Sequence, residues 1–443
     1  MPLGSEASPV TSEFFAARLR ALGVRNDFAI AVSGGRDSMA LARLSAAYAK
    51  SNNVSVLALT VDHGLRPESA REAAQVAAWC AAAGLRHRTL AWNSEKPTTG
   101  MQEAARNARY GLLARTAQAE GRYAVLTAHS ADDQAETVFM RLARGSGPRG
   151  LAAMGEAAWI ATGADDPIRL LRPLLSVSRA NLTATVTAFN QPFVDDPSND
   201  DPAHERIRTR ALLAALEEQG LLTQRALSRT AARMQTAWRL LYSREEALFR
   251  SLGGCFYQWG GASLDLGACC NKNADDVAGL CQRLIFAVSG EAHPPDAEAA
   301  GAAFADALKK RAATLGGALL KSDGDRLWFL REPAAVLGRA GTAPLKPQKL
   351  VSGEKRLWDG RFIVETPPAL AGLEVAPLGA QGFDDSGGKA PFPGPEEARR
   401  AMPGVYRDGA LIGAPFVLSS TRPGVRFTSL CRERFDGEII RFS

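Results

Sequence analysis

The chain reads as an α/β protein with a parallel-sheet N-terminal domain. A helical domain and a small β-containing C-terminal domain follow it. Three observations lead there. Between Phe28 and Leu142 short apolar runs alternate with stretches of helical spacing, the pattern of strands joined by right-handed helical crossovers. Polar residues able to do chemistry collect directly after those runs, where ligands bind in parallel sheets. From Arg206 the texture changes to Arg-rich helical spacing, and beyond Thr342 to a Gly- and Pro-rich tail. Boundaries are expected at 1–215, 216–340 and 341–443.

Ser12 to Gly23 is a lead-in helix, with Ser12 as cap and Phe14, Phe15, Leu19 and Leu22 at helical spacing. Phe28 to Val32 is a short apolar run expected as a central parallel strand. Ser33-Gly34-Gly35-Arg36-Asp37-Ser38 follows it and opens a helix. Val54 to Val61 is the second strand and ends in Asp62-His63-Gly64-Leu65-Arg66. Glu68 to Ala83 is helical, Arg86 to Trp92 a third strand, Gln102 to Glu120 helical, and Tyr123 to Thr127 a fourth strand. Ala128-His129-Ser130-Ala131-Asp132-Asp133 then leads into a helix through Leu142. Arg141 to Leu151 alternates arginine with glycine, and Asp195-Asp196-Pro197-Ser198-Asn199 marks a turn. Farther on, Leu227, Ala231, Met234, Trp238 and Leu241 fall on one helical face, with Arg225, Arg229 and Arg233 on another. Arg326 to Arg331 is a strand, Thr342 to Lys349 a linker, and Arg356 to Phe362 part of a small β domain.

The 443 residues exceed one ordinary core, and 46% hydrophobic with 23% charged residues is normal for a soluble globular protein. A net charge of +6, mostly arginine on the basic side, suits a polyanionic partner. The six cysteines form no CxxC pair, which argues against a zinc ribbon or a local iron–sulfur clamp and for reduced thiols in a cytosolic protein. The N-terminal MPLGSEASPV has no basic segment followed by an apolar core, so no secretory signal is expected. No apolar run is long enough to span a bilayer.

Strand, glycine loop and helix N-terminus together make an anion site, because open N–H groups and the helix dipole converge on one point. The loop lacks GxxxxGK[ST] and GxGxxG, so neither a Walker loop nor a dinucleotide fingerprint is present. Ser33 and Ser38 bring hydroxyls; Asp37 brings a carboxylate to a phosphate site, which fits a Mg²⁺ held between it and the phosphates, or a helix-capping role. Asp133 and Glu136 lie three apart on one helical face and suit an amine or a metal, although acidic residues at a helix start are common for dipole reasons alone. Arg106 and Arg109 can grip phosphate. Asp62, His63 and His129 sit at strand ends in the expected cleft. The arginines of the glycine loop (Arg141, Arg144, Arg149), those after the DPSN turn (Arg206, Arg208) and the helical stripe (Arg225, Arg229, Arg233) are candidate RNA contacts or solvated faces.

SGGRDS resembles the PP-loop ATP pyrophosphatases, which adenylate a carbonyl oxygen and release diphosphate. The series DHGLRPES, QEAARNARYGLL, AHSADDQAETVFMRLARGSGPRGL, RPLL and VDDPSND, in that order, resembles the tRNA(Ile)-lysidine synthetase family over about Phe28 to Arg210. The resemblance implies an adenine nucleotide alpha hydrolase-like fold. It also implies ATP with Mg²⁺ as cofactors, and free L-lysine and a CAU-anticodon tRNA(Ile) as partners in the cytoplasm. The reaction would activate carbon-2 of the wobble cytidine and replace AMP by the lysine ε-amine. By motif, Ser33 to Ser38 with Asp62 and His63 would hold ATP, and Asp37 would stand near the reacting phosphate and metal. Asp133 and Glu136 would meet the amine, and Arg106 the activated nucleotide. Family members often carry an RNRIRH-like run after the DPSN turn; here only Arg206-Ile207-Arg208 of it remains. A PP-loop tRNA thiolase and a non-catalytic tRNA-binding protein are the rival readings; the oligomeric state stays open.

Overall fold

The computed structural model describes residues 7–64, 69–93, 101–160, 168–194, 205–309, 312–339, 343–368, 370–379, 392, 394–414, 416, 424–437 and 439–440. Leu65 to Glu68 of the second motif, the Asp195–Asn199 turn and most of the Gly/Pro-rich segment lie outside them. The chain divides into two compact units between Leu240 and Leu241.

The first unit begins with α1 (Ser12–Ala21), capped by Thr11 rather than Ser12: the Thr11 Oγ1 accepts the Phe14 N–H. β1 (Phe28–Ala31) leads through the glycine loop to α2 (Arg36–Asn52), then β2 (Val56–Asp62), α3 (Ser69–Ala82), β3 (Arg86–Ala91), α4 (Met101–Ala119), β4 (Ala124–Leu126) and α5 (Ala131–Ala143). A short α6 (Pro148–Leu151), β5 (Ala157–Ile160), β6 (Ile168–Leu171), α7 (Arg179–Ala188), α8 (Glu205–Glu218) and α9 (Gln224–Ser251) follow. Within this unit the sheet runs β5-β6-β4-β1-β2-β3, parallel except for β5.

Alternation along the strands sorts the helices. Phe28 and Ile30, fully buried, pack in one cluster with Phe15 and Leu19 of α1, Met39, Leu41 and Leu44 of α2, Val76 of α3, and Leu182 and Val186 of α7. Ala29, pairing Leu57 on one side and Val125 on the other, points to the opposite face, where α4 lies. Crossovers from β1 to β3 step one way, whereas β4 returns to the other side of β1. The order therefore reverses between β1 and β4, and the carboxyl ends of these two strands open into one crevice.

Residues 216–340, read from sequence as mainly helical, also contain a five-stranded antiparallel sheet: β7 (Cys255–Phe256), β8 (Ala262–Asp265), β9 (Ala313–Leu315), β10 (Ala318–Asp323) and β11 (Arg326–Arg331), in the order β7-β8-β11-β10-β9. Only Arg326 to Arg331 among these strands was expected; β7, β8 and β9 are two to four residues long, too short to display a period of two, and β10 (ALLKSD) is apolar at one end and polar at the other rather than alternating. Helices Ala274–Ser289 and Ala297–Leu308 cover this sheet with Leu280, Leu284, Ile285 and Phe304. Two further small antiparallel sheets follow, one of them starting with Gln348–Leu350 inside the expected linker.

The hairpin of Lys355–Trp358 with Phe362–Glu365 turns at Asp359 and Gly360, both at positive φ (46° and 57°), the conformation an Asp-Gly pair tolerates best. Asp359 is itself buried. Its carboxylate accepts from Arg361 Nε at 2.7 Å and Arg331 Nη2 at 2.9 Å, and both guanidinium groups are almost wholly out of solvent. Burial works against the Arg361 charge and Asp359 offsets it. Removing Asp359 leaves Arg361 with carbonyl acceptors only and Arg331 with Glu291 at 3.4 Å and the Gly317 carbonyl, so Asp359→Ala should destabilise the protein by about 3 kcal/mol. Chemical denaturation of the full chain measures this; a loss below about 1 kcal/mol would show that Glu291 and the carbonyls suffice to hold the two charges.

Candidate active site

The anion loop takes its shape from glycine. Gly34 adopts φ +88°, and a Cβ there would stand 2.6 Å from Val76 Cγ2. Gly35 is the N-cap of α2 and supplies no side-chain cap, so the first N–H groups of a 17-residue helix face the crevice. Ser38 Oγ donates to the Gly35 carbonyl (2.8 Å) and accepts from the Ser33 N–H (3.2 Å), while the two serine hydroxyls lie 3.3 Å apart. The serines thus hold the loop closed as well as offering hydroxyls. Arg36 Nε donates to Asp37 Oδ1 at 3.3 Å. Burial raises the Asp37 pKa, against the pull of Arg179 and Arg36. Asp62 ends β2 and accepts the Gly64 N–H at 2.8 Å; His63 packs edge-on to Trp92.

Across the switch point, Ser130 and Asp133 form a reciprocal capping box at the start of α5. Ser130 N–H donates to Asp133 Oδ2 (2.9 Å), and Asp133 N–H donates to Ser130 Oγ (3.4 Å). Burial pushes the Asp133 pKa up, but the Ser130 N–H and Arg179 outweigh it and the net shift is downward. Glu136 is 2% exposed. Its Oε1 accepts from Arg210 Nε at 2.9 Å and Arg179 Nη1 at 3.5 Å. Its Oε2 has no hydrogen-bond partner among the described residues, with only Arg206 Nε in ion-pair reach at 3.7 Å.

One residue joins both sides, and sequence reading missed it. Arg179, the first residue of α7, reaches Asp37 Oδ2 (3.5 Å), Asp133 Oδ1 (3.4 Å) and Glu136 Oε1 (3.5 Å). Its own N–H donates to Asp132 Oδ2 at 2.7 Å. In the sequence it is one more arginine after a serine N-cap, with no motif to mark it. Arg210, also absent from the expected set, was visible only as an i, i+4 neighbour of Arg206.

A cationic group gathers near His129 and Arg206. Arg106 and Arg109 of α4 stack on Tyr110 at 5.0 and 5.2 Å from the ring centre. Arg172 is buried and donates to the Gly155 carbonyl at 2.8 Å. Burial depresses the pKa of Arg106 and of Arg172. Burial alone would raise the Tyr110 phenol; Arg106, Arg109 and Arg172 together lower it. His129, within hydrogen-bond reach of Thr127 Oγ1 through Nδ1 (2.8 Å), is held neutral by burial and by Arg172, its pKa down to about 3. It carries no proton to donate as an imidazolium at neutral pH.

The arginines expected at RNA separate into two groups. Arg141 is committed to the carbonyls of Gly150 (2.7 Å), which also accepts the Ala153 N–H, and Ala153 (3.2 Å), both presented to it by the turn after α5. Arg144 pairs with Glu205 (2.6 Å), Arg149 stacks on Trp238 at 5.7 Å, and Arg206 leans on Glu136. Arg208, Arg225, Arg229 and Arg233 are exposed on α8 and α9. On the inner face of α9, Leu227 and Ala231 pack with Ala135, Val138 and Leu213; Met234 and Trp238 are half-buried, and Leu241 is exposed.

The model of the PP-loop domain matches residues 11–216. A tRNA(Ile)-lysidine synthase of Ruegeria pomeroyi is 36% identical over 411 residues, covering 91% of this chain and 90% of that one. One of Methylobacterium sp. is 42% identical over 323 residues, covering 71% and 92%. One of Bradyrhizobium sp. reaches 53% over 193 residues, covering 43% of this chain and 52% of that one. Among solved structures, the U34-tRNA thiolase NcsA from Methanococcus maripaludis matches at 19% identity with a TM-score of 0.42, over 50% of this chain and 78% of that one. With the Ruegeria and Methylobacterium relatives spanned almost end to end and the nucleotide loop at a sheet switch point, the chain belongs to the tRNA(Ile)-lysidine synthase family, whose members are ATP-dependent ligases that form a C–N bond.

Proposed function

We propose that this chain ligates free L-lysine to carbon-2 of the wobble cytidine in CAU-anticodon tRNA(Ile). ATP adenylates the cytidine carbonyl oxygen and diphosphate leaves; the lysine ε-amine then attacks carbon-2 and AMP departs with that oxygen. The observation that carries this reading is the closeness of an anion loop and a buried acidic pair, one on each side of the switch point and both within reach of Arg179. The α2 N-terminus receives phosphate. Asp133 and Glu136 receive the ammonium, and the Oε2 of Glu136, which accepts no hydrogen bond among the described residues, has acceptor capacity to spare. Arg106, backed by Arg109 and Arg172, meets negative charge as it develops.

Asp37 is the carboxylate that would hold Mg²⁺ together with the triphosphate. Asp37 stands in the first turn of α2 beside the anion loop, where phosphate oxygens would supply the rest of the ion's ligands. Cys80, the sole cysteine before Cys255, is fully buried and its thiol is pushed up to about 11 by that burial, so it offers no thiolate for sulfur transfer. Among the described residues no helix is long and apolar enough to cross a membrane. The cytoplasm is the compartment that brings ATP, lysine and tRNA together.

Incubated with ATP, labelled L-lysine and CAU tRNA(Ile), the protein should incorporate lysine into the tRNA with one AMP released per lysine. AMP release that depends on a sulfur donor, or tRNA binding without turnover, would sink the proposal. The two halves of the site should separate kinetically. Asp37→Asn should lower diphosphate release about 100-fold or more. Glu136→Gln should raise the KM for lysine about tenfold or more while the adenylation half-reaction persists. An equal loss of both half-reactions in Glu136→Gln would contradict its place at the amine. Replacing Arg225, Arg229 and Arg233 together by Gln should weaken tRNA binding and flatten its log–log salt slope by up to about 3. An unchanged slope would return that stripe to the solvent.

A further inference from the structure

Arg179 stands where three carboxylates converge and commits to none of them. Its contacts with Asp37, Asp133 and Glu136 are all 3.4–3.5 Å, longer than the roughly 2.7–2.9 Å of a settled charge-assisted bond. Its backbone is anchored by contrast. The N–H donates to Asp132 at 2.7 Å, and Ser178 caps α7 by accepting the Asn181 N–H. The guanidinium can therefore be redistributed while its Cα stays in place. The two substrates act on it in opposite ways. A triphosphate at the α2 N-terminus adds negative charge on the Asp37 side. An ammonium at Asp133 and Glu136 competes with Arg179 for the charge of the same two carboxylates.

We propose that Arg179 orders substrate binding. It neutralises Asp133, and Glu136 together with Arg210, until ATP binds, is then drawn toward the phosphates, and gives up its share of the acidic pair to the lysine ammonium. This rests on the reading of that pair as the amine site. Arg179 is a positioning residue in this scheme: it changes how available the two carboxylates are and takes no part in bond making. The consequence is a positive coupling between ATP and lysine that is equal in both directions.

Equilibrium dialysis of radiolabelled L-lysine against the full-length protein tests this, with and without Mg²⁺ and a non-cleavable α,β-methylene ATP analogue. Lysine affinity of the wild type should rise about tenfold or more when the analogue is present. Arg179→Gln should bring that ratio close to one, because lysine no longer needs the nucleotide to free its site, and Arg179→Lys, which keeps the charge, should retain coupling. A ratio of one in the wild type overturns the proposal without recourse to any variant. So does a wild-type ratio in Arg179→Gln, or a variant that weakens lysine equally in both arms, as loss of a merely structural residue would. If lysine binds in no arm and the tRNA assay shows no incorporation, the amine reading itself falls and takes this proposal with it. Binding with an unaltered ratio leaves that reading standing and removes only the role of Arg179.

Discussion

The site depends on a reversal of strand order. β1 is flanked by β2 on one side and β4 on the other, and the crossovers that reach these neighbours lie on opposite faces of the sheet. Chain leaving β1 therefore turns toward one face and chain leaving β4 toward the other, and the gap between them is open to solvent. Both turns start helices whose first residues carry the chemistry: Gly35 to Ser38 for α2, and Ser130 to Glu136 for α5. Neither loop makes a site alone. The sheet brings them together because β1, fully buried on both faces, has little freedom to shift.

Charge is arranged in that gap with more order than pairwise contacts convey. Acidic residues of α2 and α5 meet arginines from α7 and α8, so that each buried carboxylate has compensation before any substrate arrives. Around Tyr110 and His129 the imbalance is reversed. Arg106, Arg109 and Arg172 surround Tyr110 and a neutral His129, a locally positive region suited to an anionic, adenylated intermediate.

Much of the first unit was legible because its signals are local. Apolar runs bounded by Gly, Asp and Asn mark β1, β2 and β4 to within two residues, and serine and glycine chemistry marks where α2 and α5 begin. The second unit was less legible. Strands such as Cys255–Phe256 and Ala313–Leu315 are too short to show periodicity, and their sheet is completed only by partners far along the chain. The exposed arginine stripe on α9 was readable from spacing. The fate of Arg141, Arg144 and Arg206 was not, because what each guanidinium binds depends on carbonyls and carboxylates brought near by the fold.

By itself the sequence determined the nucleotide loop, the acidic helix start and the family, since each is written in contiguous residues whose backbone demands are local: a glycine that must reach φ +88°, a capping serine, a buried apolar run. Only the tertiary structure decided that Asp37, Asp133 and Glu136 share one cation. Arg179 is separated from Asp37 by 142 positions and from Asp133 by 46, and no local rule links residues so far apart. Their meeting follows from packing α7 against α2 while Asp132 pins the first N–H of α7. It is a long-range consequence of burying the sheet.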